Sequence, residues 1–285
     1  MTSQIKTVLL LALLSGLIIV LGGMLGGRAG VIIAFGLALV MNVGSYWYSD
    51  KLVLSMYHAR ELAPEEAPYL HQIVEELARN AGIPKPRVCV VPEEAPNAFA
   101  TGRDPQHAVV AVTEGLMRLL SPQELRGVVA HEVGHIVNRD ILIQTVAAVL
   151  ASAVITLANI FQFTAIFGGN RDGEGGGNPI GALVLALLAP IAAGLIQMAI
   201  SRSREYLADD TGAELCGQPL ALAGALAKLG EASGRIPMRE GKPTTADMFI
   251  VAPMFSMGGS MANLFSTHPP LEERIQRLQA MAARR

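Results

Sequence analysis

Charged residues are missing from four long stretches of the chain, 7–27, 29–49, 141–170 and 175–201, none of which contains Asp, Glu, Lys or Arg. Each supplies the roughly 20 apolar residues that a helix needs to cross the hydrocarbon core of a bilayer. Between and after them the pattern changes to amphipathic and alternating. Residues 50–140 and 202–285 read as two halves of one water-soluble unit, interrupted by the second pair of spans. The expected organisation is an N-terminal transmembrane hairpin (1–49), a first polar segment (50–140), a second transmembrane hairpin (141–201) and a second polar segment (202–285).

The glycine-rich turn at Gly26, Gly27 and Arg28 makes the first two spans a tight hairpin, and Tyr46, Trp47 and Tyr48 suit an aromatic belt at its end. A cleaved signal peptide is the rival for the first span, but Gly22-Gly23-Met24 offers no A-x-A cleavage pattern, which favours a retained anchor. Pro190 is expected to kink the fourth span without breaking it. Lys6, Lys51, Arg60, Arg126, Arg139, Arg202 and Arg204 fall on one side of the bilayer, and only Arg28 and Arg171 in the connections on the other. The positive-inside rule then puts both termini and the polar segments in the cytoplasm.

In the polar segments, 64–82 reads as an amphipathic helix that stops at Gly82, with Leu70, Ile73, Val74, Leu77 and Ala81 on its apolar face. Residues 87–91 and 108–113 are β-branched runs that predict strands, and 96–102 reads as strand or loop. Ser121-Pro122-Gln123-Glu124 is a capping box with proline at the first helical position. Further helices are expected from about Arg202 and over 269–281, while 236–267 is methionine-rich and loop-like.

Composition sharpens this picture. The chain of 285 residues is 51% hydrophobic and 16% charged, with a mean hydropathy of +0.41. Soluble domains carry about 25% charged residues, so a wholly aqueous life and disorder are both excluded. A net charge of −2 gives no support to nucleic-acid binding. Cys89 and Cys216 make no disulfide framework, in keeping with a reducing compartment.

The chemistry is carried by His131-Glu132-Val133-Gly134-His135. One helical turn apart, His131 and His135 project from the same face toward one ion, and Glu132 stands beside them to take a proton from a water. The motif falls inside the helix that the capping box opens. No histidine follows closely enough downstream to complete the set, so a distant carboxylate is the better third ligand. Arg204-Glu205-Tyr206-Leu207-Ala208-Asp209 offers Glu205 for the ion and, one turn on, Asp209 to hold the second nitrogen of a ligand histidine. Read alone, these acids would be solvated groups of an interfacial helix; beside HExxH they read as ligands.

The residues Asn97-Ala98-Phe99-Ala100-Thr101-Gly102, Ala111-Val112-Thr113-Glu114-Gly115-Leu116, His131–His135, Ser203–Asp209 and Thr267-His268-Pro269-Pro270-Leu271 resemble, in order, those of the HtpX family of bacterial membrane zinc metalloproteases, relatives of the CAAX prenyl proteases. The resemblance covers essentially the whole chain. It implies an α+β fold: four transmembrane helices plus a mainly helical, zincin-like cytoplasmic domain with a small β-sheet. It implies one Zn2+ per chain on His131, His135 and Glu205, with Glu132 as general base and Asp209 as partner of His131. Asn97, Ala98, Phe99 and Ala100, together with 108–113, are implied to line the cleft, where an extended substrate could add as a strand to an unpaired sheet edge. His268 is similar to a family histidine that stabilises the tetrahedral intermediate; its alternative is a helix-entry residue before two prolines. His58, His71 and His107 have no such context and are expected at the surface.

The expected function is an inner-membrane zinc endopeptidase that cleaves misfolded or damaged membrane proteins under stress. Its partners are those substrates and the lipid bilayer, not nucleic acid, and a homo-oligomer or association with other quality-control proteases stays open. Three rivals are weighed against it. A CAAX-type prenyl-peptide protease needs an enclosed membrane chamber that four spans are few to build. A metal-holding scaffold has no use for Glu132, and a metal transporter would carry charged or histidine ligands within its spans, which contain none.

Overall fold

A computed structural model describes residues 3–152, 202–239, 245, 248–251 and 269–284. The first helix, α1 (Ser3–Met56), is helical throughout except at Gly27, where a φ of 56° folds it into two arms. Asn42 donates to the Ser15 hydroxyl at 2.8 Å across the arms, a polar clasp suited to helices packed in lipid. The second arm, Gly27–Met56, is long and apolar enough to span a membrane. Its Ile32, Ile33 and Val40 are about 70% exposed, an arrangement that water would penalise and lipid would not.

Four expected spans are met in part. Among the described residues one helix qualifies by length and composition, or two if Pro122–Val137 and Ile141–Ser152 are joined despite their 90° bend. The two are separate elements, because Pro122–Val137 is packed among the other helices and carries buried charged groups. The rest of the third span, all of the fourth with Pro190, the connection at 168–178, and most of the methionine-rich segment lie outside the described residues.

After α1 come β1 (Arg60–Glu61), α2 (Pro68–Ala81), β2 (Arg87–Val91), β3 (Ala98–Thr101), β4 (Val109–Thr113), α3 (Glu114–Leu119) and α4 (Pro122–Val137). They continue with α5 (Ile141–Ser152), α6 (Arg202–Cys216), α7 (Pro219–Ser233) and α8 (Leu271–Ala283). The sheet has the order β1-β2-β4-β3, with β2 parallel to β4 and the two outer strands antiparallel. Its central strands are buried on both faces, which is why they read as unbroken apolar runs rather than alternating ones. On one face Val88, Val90, Ala98, Ala100, Val110 and Val112 meet the helices. On the other, Cys89, Phe99 and Ala111 meet Val53 and Tyr57 from the end of α1, with Phe249.

Helix α4 lies at the centre of the helical layer, against α2, α6, α7 and β3. Ser121 and Glu124 close both halves of the predicted capping box, which fixes where the helix starts and so which way its later turns face. Gly82 ends α2 in the left-handed conformation that the sequence predicts. One expectation fails: His71 is not a surface residue but is 9% exposed, its Nε2 3.0 Å from the Leu62 carbonyl. Its place on the buried face of α2, one residue from Leu70, is compatible with a histidine because that carbonyl answers the ring. His58 and His107 are exposed as expected.

Candidate active site

Two close helix approaches build the site. A Cβ at Gly134 of α4 would stand 2.9 Å from the Ala208 carbonyl oxygen, and one at Gly212 of α6 only 2.8 Å from the His131 backbone nitrogen. Only glycine lets the two backbones come this near, and the approach brings Glu205 over His131 and His135. All three side chains are buried. Glu205 Oε2 lies 3.7 Å from His131 Nε2, and Oε1 lies 3.6 Å from His135 Nε2. The two Nε2 atoms are 3.2 Å apart.

Each imidazole is held from behind. His131 Nδ1 lies 2.9 Å from Asp209 Oδ1, and His135 Nδ1 lies 3.2 Å from both carboxylate oxygens of Asp140. With both Nδ1–H groups donating to carboxylates, both Nε2 lone pairs point at one another and at Glu205. Such convergence is repulsive by itself and is resolved by a cation. The donor separations also suit one: metal–ligand bonds of about 2.1 Å around a tetrahedral ion place ligands about 3.4 Å apart. His131, His135 and Glu205 form a metal-binding triad.

Arg274 of α8 enters the same cluster. Its guanidinium is fully buried and donates twice to Asp209, from Nε and Nη2, at 2.8 Å each. Its Nη1 donates to the Ile250 carbonyl at 2.8 Å. Burial works to raise the Asp209 carboxyl, but this guanidinium outweighs it and holds Asp209 well below the usual carboxylate range. Burial pushes His131 down, against the pull of Asp209. Burial also opposes the charged form of His135, yet Asp140, Glu205 and Glu132 together push it up to about 10. The field at the triad thus favours positive charge.

Glu132 is 1% exposed, and burial pushes its carboxyl up to about 8. Both its oxygens are buried without a hydrogen bond of good geometry, and the Ala100 backbone N–H favours its charge only weakly. A buried carboxyl left so unsatisfied is costly, which marks it as a group kept for chemistry.

The remaining predicted residues fall just before or in β3, in β4, or beyond the described residues; β4 is paired with β2 on one side and β3 on the other, so 108–113 offers no free edge for a substrate strand. Thr113 N–H donates to the Asn97 carbonyl, so Ala98 and Ala100 face away from β4, at the outer edge of the sheet. Part of that edge is taken: the Ala98 carbonyl accepts from Ile250 N–H at 3.1 Å, and Asn97 Nδ2 donates to the Val251 carbonyl at 2.8 Å. Phe99 points to the opposite face, packed with Tyr57 and Phe249. Asn97, Ala98, Phe99 and Ala100 are buried, backbone and side chain alike, and the Ala100 N–H is turned to Glu132. His268 lies outside the described residues.

Sequence reasoning missed Asp140 and Arg274. Asp140 follows the end of α4 and reaches back only because Arg139 turns the chain at a φ of 57°. Arg274 had a visible signal: it shares a helix face with Leu271 and Leu278, and an arginine on an apolar stripe asks for a buried partner.

A metal triad of two histidines and a glutamate, with an unpartnered glutamate beside it and an apolar hairpin attached, defines a membrane metallopeptidase. The comparisons agree. The family model for peptidase family M48 matches residues 64–282. The HtpX protease homolog of Syntrophobacter fumaroxidans is 57% identical over 284 residues, covering 99% of this chain and 100% of that one. The homolog of Persephonella marina is 58% identical over 283 residues, 98% of each chain, and that of Pyrococcus furiosus 57% identical over 278 residues, 98% of this chain and 96% of that one. The chain belongs to peptidase family M48, among its HtpX proteases. Its relatives are archaeal as well as bacterial, so similarity alone does not assign a bacterial inner membrane. The crystal structure of S. mikatae Ste24p shares the fold, with a TM-score of 0.50 and 20% identity over 96% of this chain. The chain spans 65% of the length of that structure.

Proposed function

We propose that the protein is a zinc endopeptidase that cuts misfolded or damaged membrane proteins at a cytoplasmic active site. The observation that carries this reading is the convergence of His131 Nε2, His135 Nε2 and Glu205 on one point, with the unsatisfied carboxylate of Glu132 next to it. His131, His135 and Glu205 would hold the ion. Zinc, when bound, polarises the scissile carbonyl and makes a water acidic enough to attack near neutral pH.

The chain's own groups do the rest. In its ionised form, which a cation held by the triad would favour, Glu132 would take the water proton and return it to the departing amine. Asp209, locked by Arg274, and Asp140 keep the two imidazoles in the tautomer that offers Nε2. An extended substrate would add beside Glu132 at the β3 edge, where the buried Ala100 backbone turns away from β4 and must be uncovered to pair with it. His268 would answer the negative charge that develops on the carbonyl oxygen, a role that rests on the resemblance of its sequence motif alone. The membrane substrate class is supported by position. The ligand helix α4 runs into α5 after a 90° bend, so the cleft stands close to where the chain enters its apolar segment. The excess of Lys and Arg flanking the spans on this side supports a cytoplasmic site.

The test is cleavage of unfolded casein by detergent-purified full-length protein supplied with zinc. Wild type should cleave, and Glu132→Gln should bind zinc equally but lose at least 100-fold in rate, about what a general base contributes. A Glu132→Gln variant as fast as wild type would remove Glu132 from the mechanism.

A further inference from the structure

Where the arms of α1, the loop after β3 and the start of α5 meet, they enclose a cavity of about 240 Å³ that the catalytic chemistry does not use. Val8, Leu11 and Leu142 give it apolar walls, and Tyr46, Arg103 and Arg139 give it a polar rim. Its position is defined by the chain itself. Tyr46 and Trp47 close the apolar second arm of α1, and amphipathic aromatics of this kind sit at the level of lipid headgroups. The cavity therefore opens at the bilayer surface, on the side that carries the catalytic domain.

The charges at the rim are unevenly committed. The Asp104 carboxylate, also at the rim, accepts from the His107 backbone N–H and lies 2.6 Å from His107 Nδ1. Arg103 stands 3.6 Å from Asp104 through Nε and lies over the Trp47 ring, 4.7 Å from its centroid. Arg139 is exposed and has no ion-pair partner among the described residues. Its backbone occupies the left-handed region at a φ of 57°, where glycine or asparagine is the ordinary occupant of a helix end. A guanidinium is thus kept beside an apolar cavity at a backbone position that disfavours it.

We propose that this cavity binds the headgroup phosphate of an anionic glycerophospholipid, with Arg139 and Arg103 as its anchors. Guanidinium forks match phosphate oxygens in geometry as well as charge, and basic pockets between membrane helices on this side are the usual seats of anionic lipid headgroups. The volume is below the roughly 300–1,000 Å³ of pockets that enclose a drug-sized ligand. It takes a headgroup and the first methylenes against Leu11 and Leu142, and the acyl chains continue along the exposed apolar surface of α1, where Val8 is 65% exposed.

The experiment uses full-length protein in a neutral maltoside detergent, with phosphatidylglycerol, phosphatidylcholine or inorganic phosphate added separately. Native mass spectrometry reads retained lipid and thermal unfolding reads its effect. Phosphatidylglycerol should be retained at one equivalent and raise the melting temperature by a few degrees, while phosphatidylcholine and phosphate should do neither. Arg139→Gly relieves the left-handed turn, so it should keep or raise the lipid-free melting temperature; combined with Arg103→Gln it should lose retention at least tenfold. Arg139→Lys should keep most of it. Equal retention of phosphatidylcholine, an equal shift with phosphate alone, or undiminished phosphatidylglycerol retention in the double variant would each overturn the proposal.

Discussion

Replacing Arg274 with methionine removes the guanidinium that holds Asp209 by two hydrogen bonds of 2.8 Å, while leaving a side chain of similar length in the core. Asp209 is 1% exposed, so its charge would stay buried with only the His131 ring to answer it. Breaking a buried pair from one side typically costs about 3–5 kcal/mol. Against a total stability of about 5–15 kcal/mol, that is a large fraction. The ring of His131 would also be held less firmly, and loss of such a support lowers metal affinity about 10–100-fold. Asp209→Asn in the same chain removes the stranded charge and still offers an oxygen to His131 Nδ1–H. The double variant should therefore recover most of the stability that Arg274→Met loses, but not the zinc affinity. The assay is denaturant unfolding of full-length protein in micelles, with and without zinc, in a Glu132→Gln background that prevents self-digestion. Costs of the two substitutions that add to within about 0.5 kcal/mol would show that the pair is not coupled and would refute this account of Arg274.

Gly212→Ala puts a methyl 2.8 Å from the His131 backbone, so α6 must retreat; overpacking of this kind costs about 1–3 kcal/mol, and zinc binding should weaken because Glu205 retreats with it. Unchanged zinc affinity by chelator competition would count against the close approach as the positioning device. Asp140→Ala should lower zinc affinity about 10–100-fold with little effect on the isolated fold of α4, measured in the same competition; full affinity would mean that His135 needs no support from behind. Burial works to raise the Glu124 carboxyl, but Lys228 and Ser121 outweigh it and hold it below its ordinary range. Its contribution, about 1 kcal/mol for such a cap, is fully present above the unfolded carboxyl pKa of about 4.3 and is lost as pH falls through the lower folded value. The stability gap between wild type and Glu124→Gln should accordingly be full at pH 7 and close in acid, and a gap constant from pH 7 to pH 3 would contradict the assignment.

Local rules made much of this legible in advance. The capping box located the start of α4 because its two reciprocal hydrogen bonds depend on residues three apart, and both form. The metal triad was legible for a different reason: two histidines at one-turn spacing leave little choice of geometry, and Glu205 had to come from another helix. What the pattern did not show depends on long-range placement. Arg274 and Asp209 are 65 positions apart, and no periodicity links them. The β3 edge is decided by segment 248–251, which crosses from the far end of the chain to the Ala98 carbonyl. His71 went astray because its partner is a backbone carbonyl, Leu62, and a backbone acceptor leaves no trace in a sequence.

The turn between α4 and α5 ties the metal site to the start of the next apolar segment. At the end of α4 the Asn138 and Asp140 amides donate back to Gly134 and His135, and the chain then bends by 90°. Because Asp140 both closes this turn and holds the His135 ring, the direction in which α5 leaves the domain and the orientation of a metal ligand are set by the same residue. Arg139 lies between them in a left-handed conformation that costs about 1–2 kcal/mol for a side chain other than glycine. A glycine would form the same turn more cheaply, but it would offer no cation to the cavity at the membrane surface. Helix α5 and the metal site are thus joined by a three-residue connection: Asn138 ends the helix, Arg139 makes the left-handed turn at the rim of the cavity, and Asp140 orients the ligand.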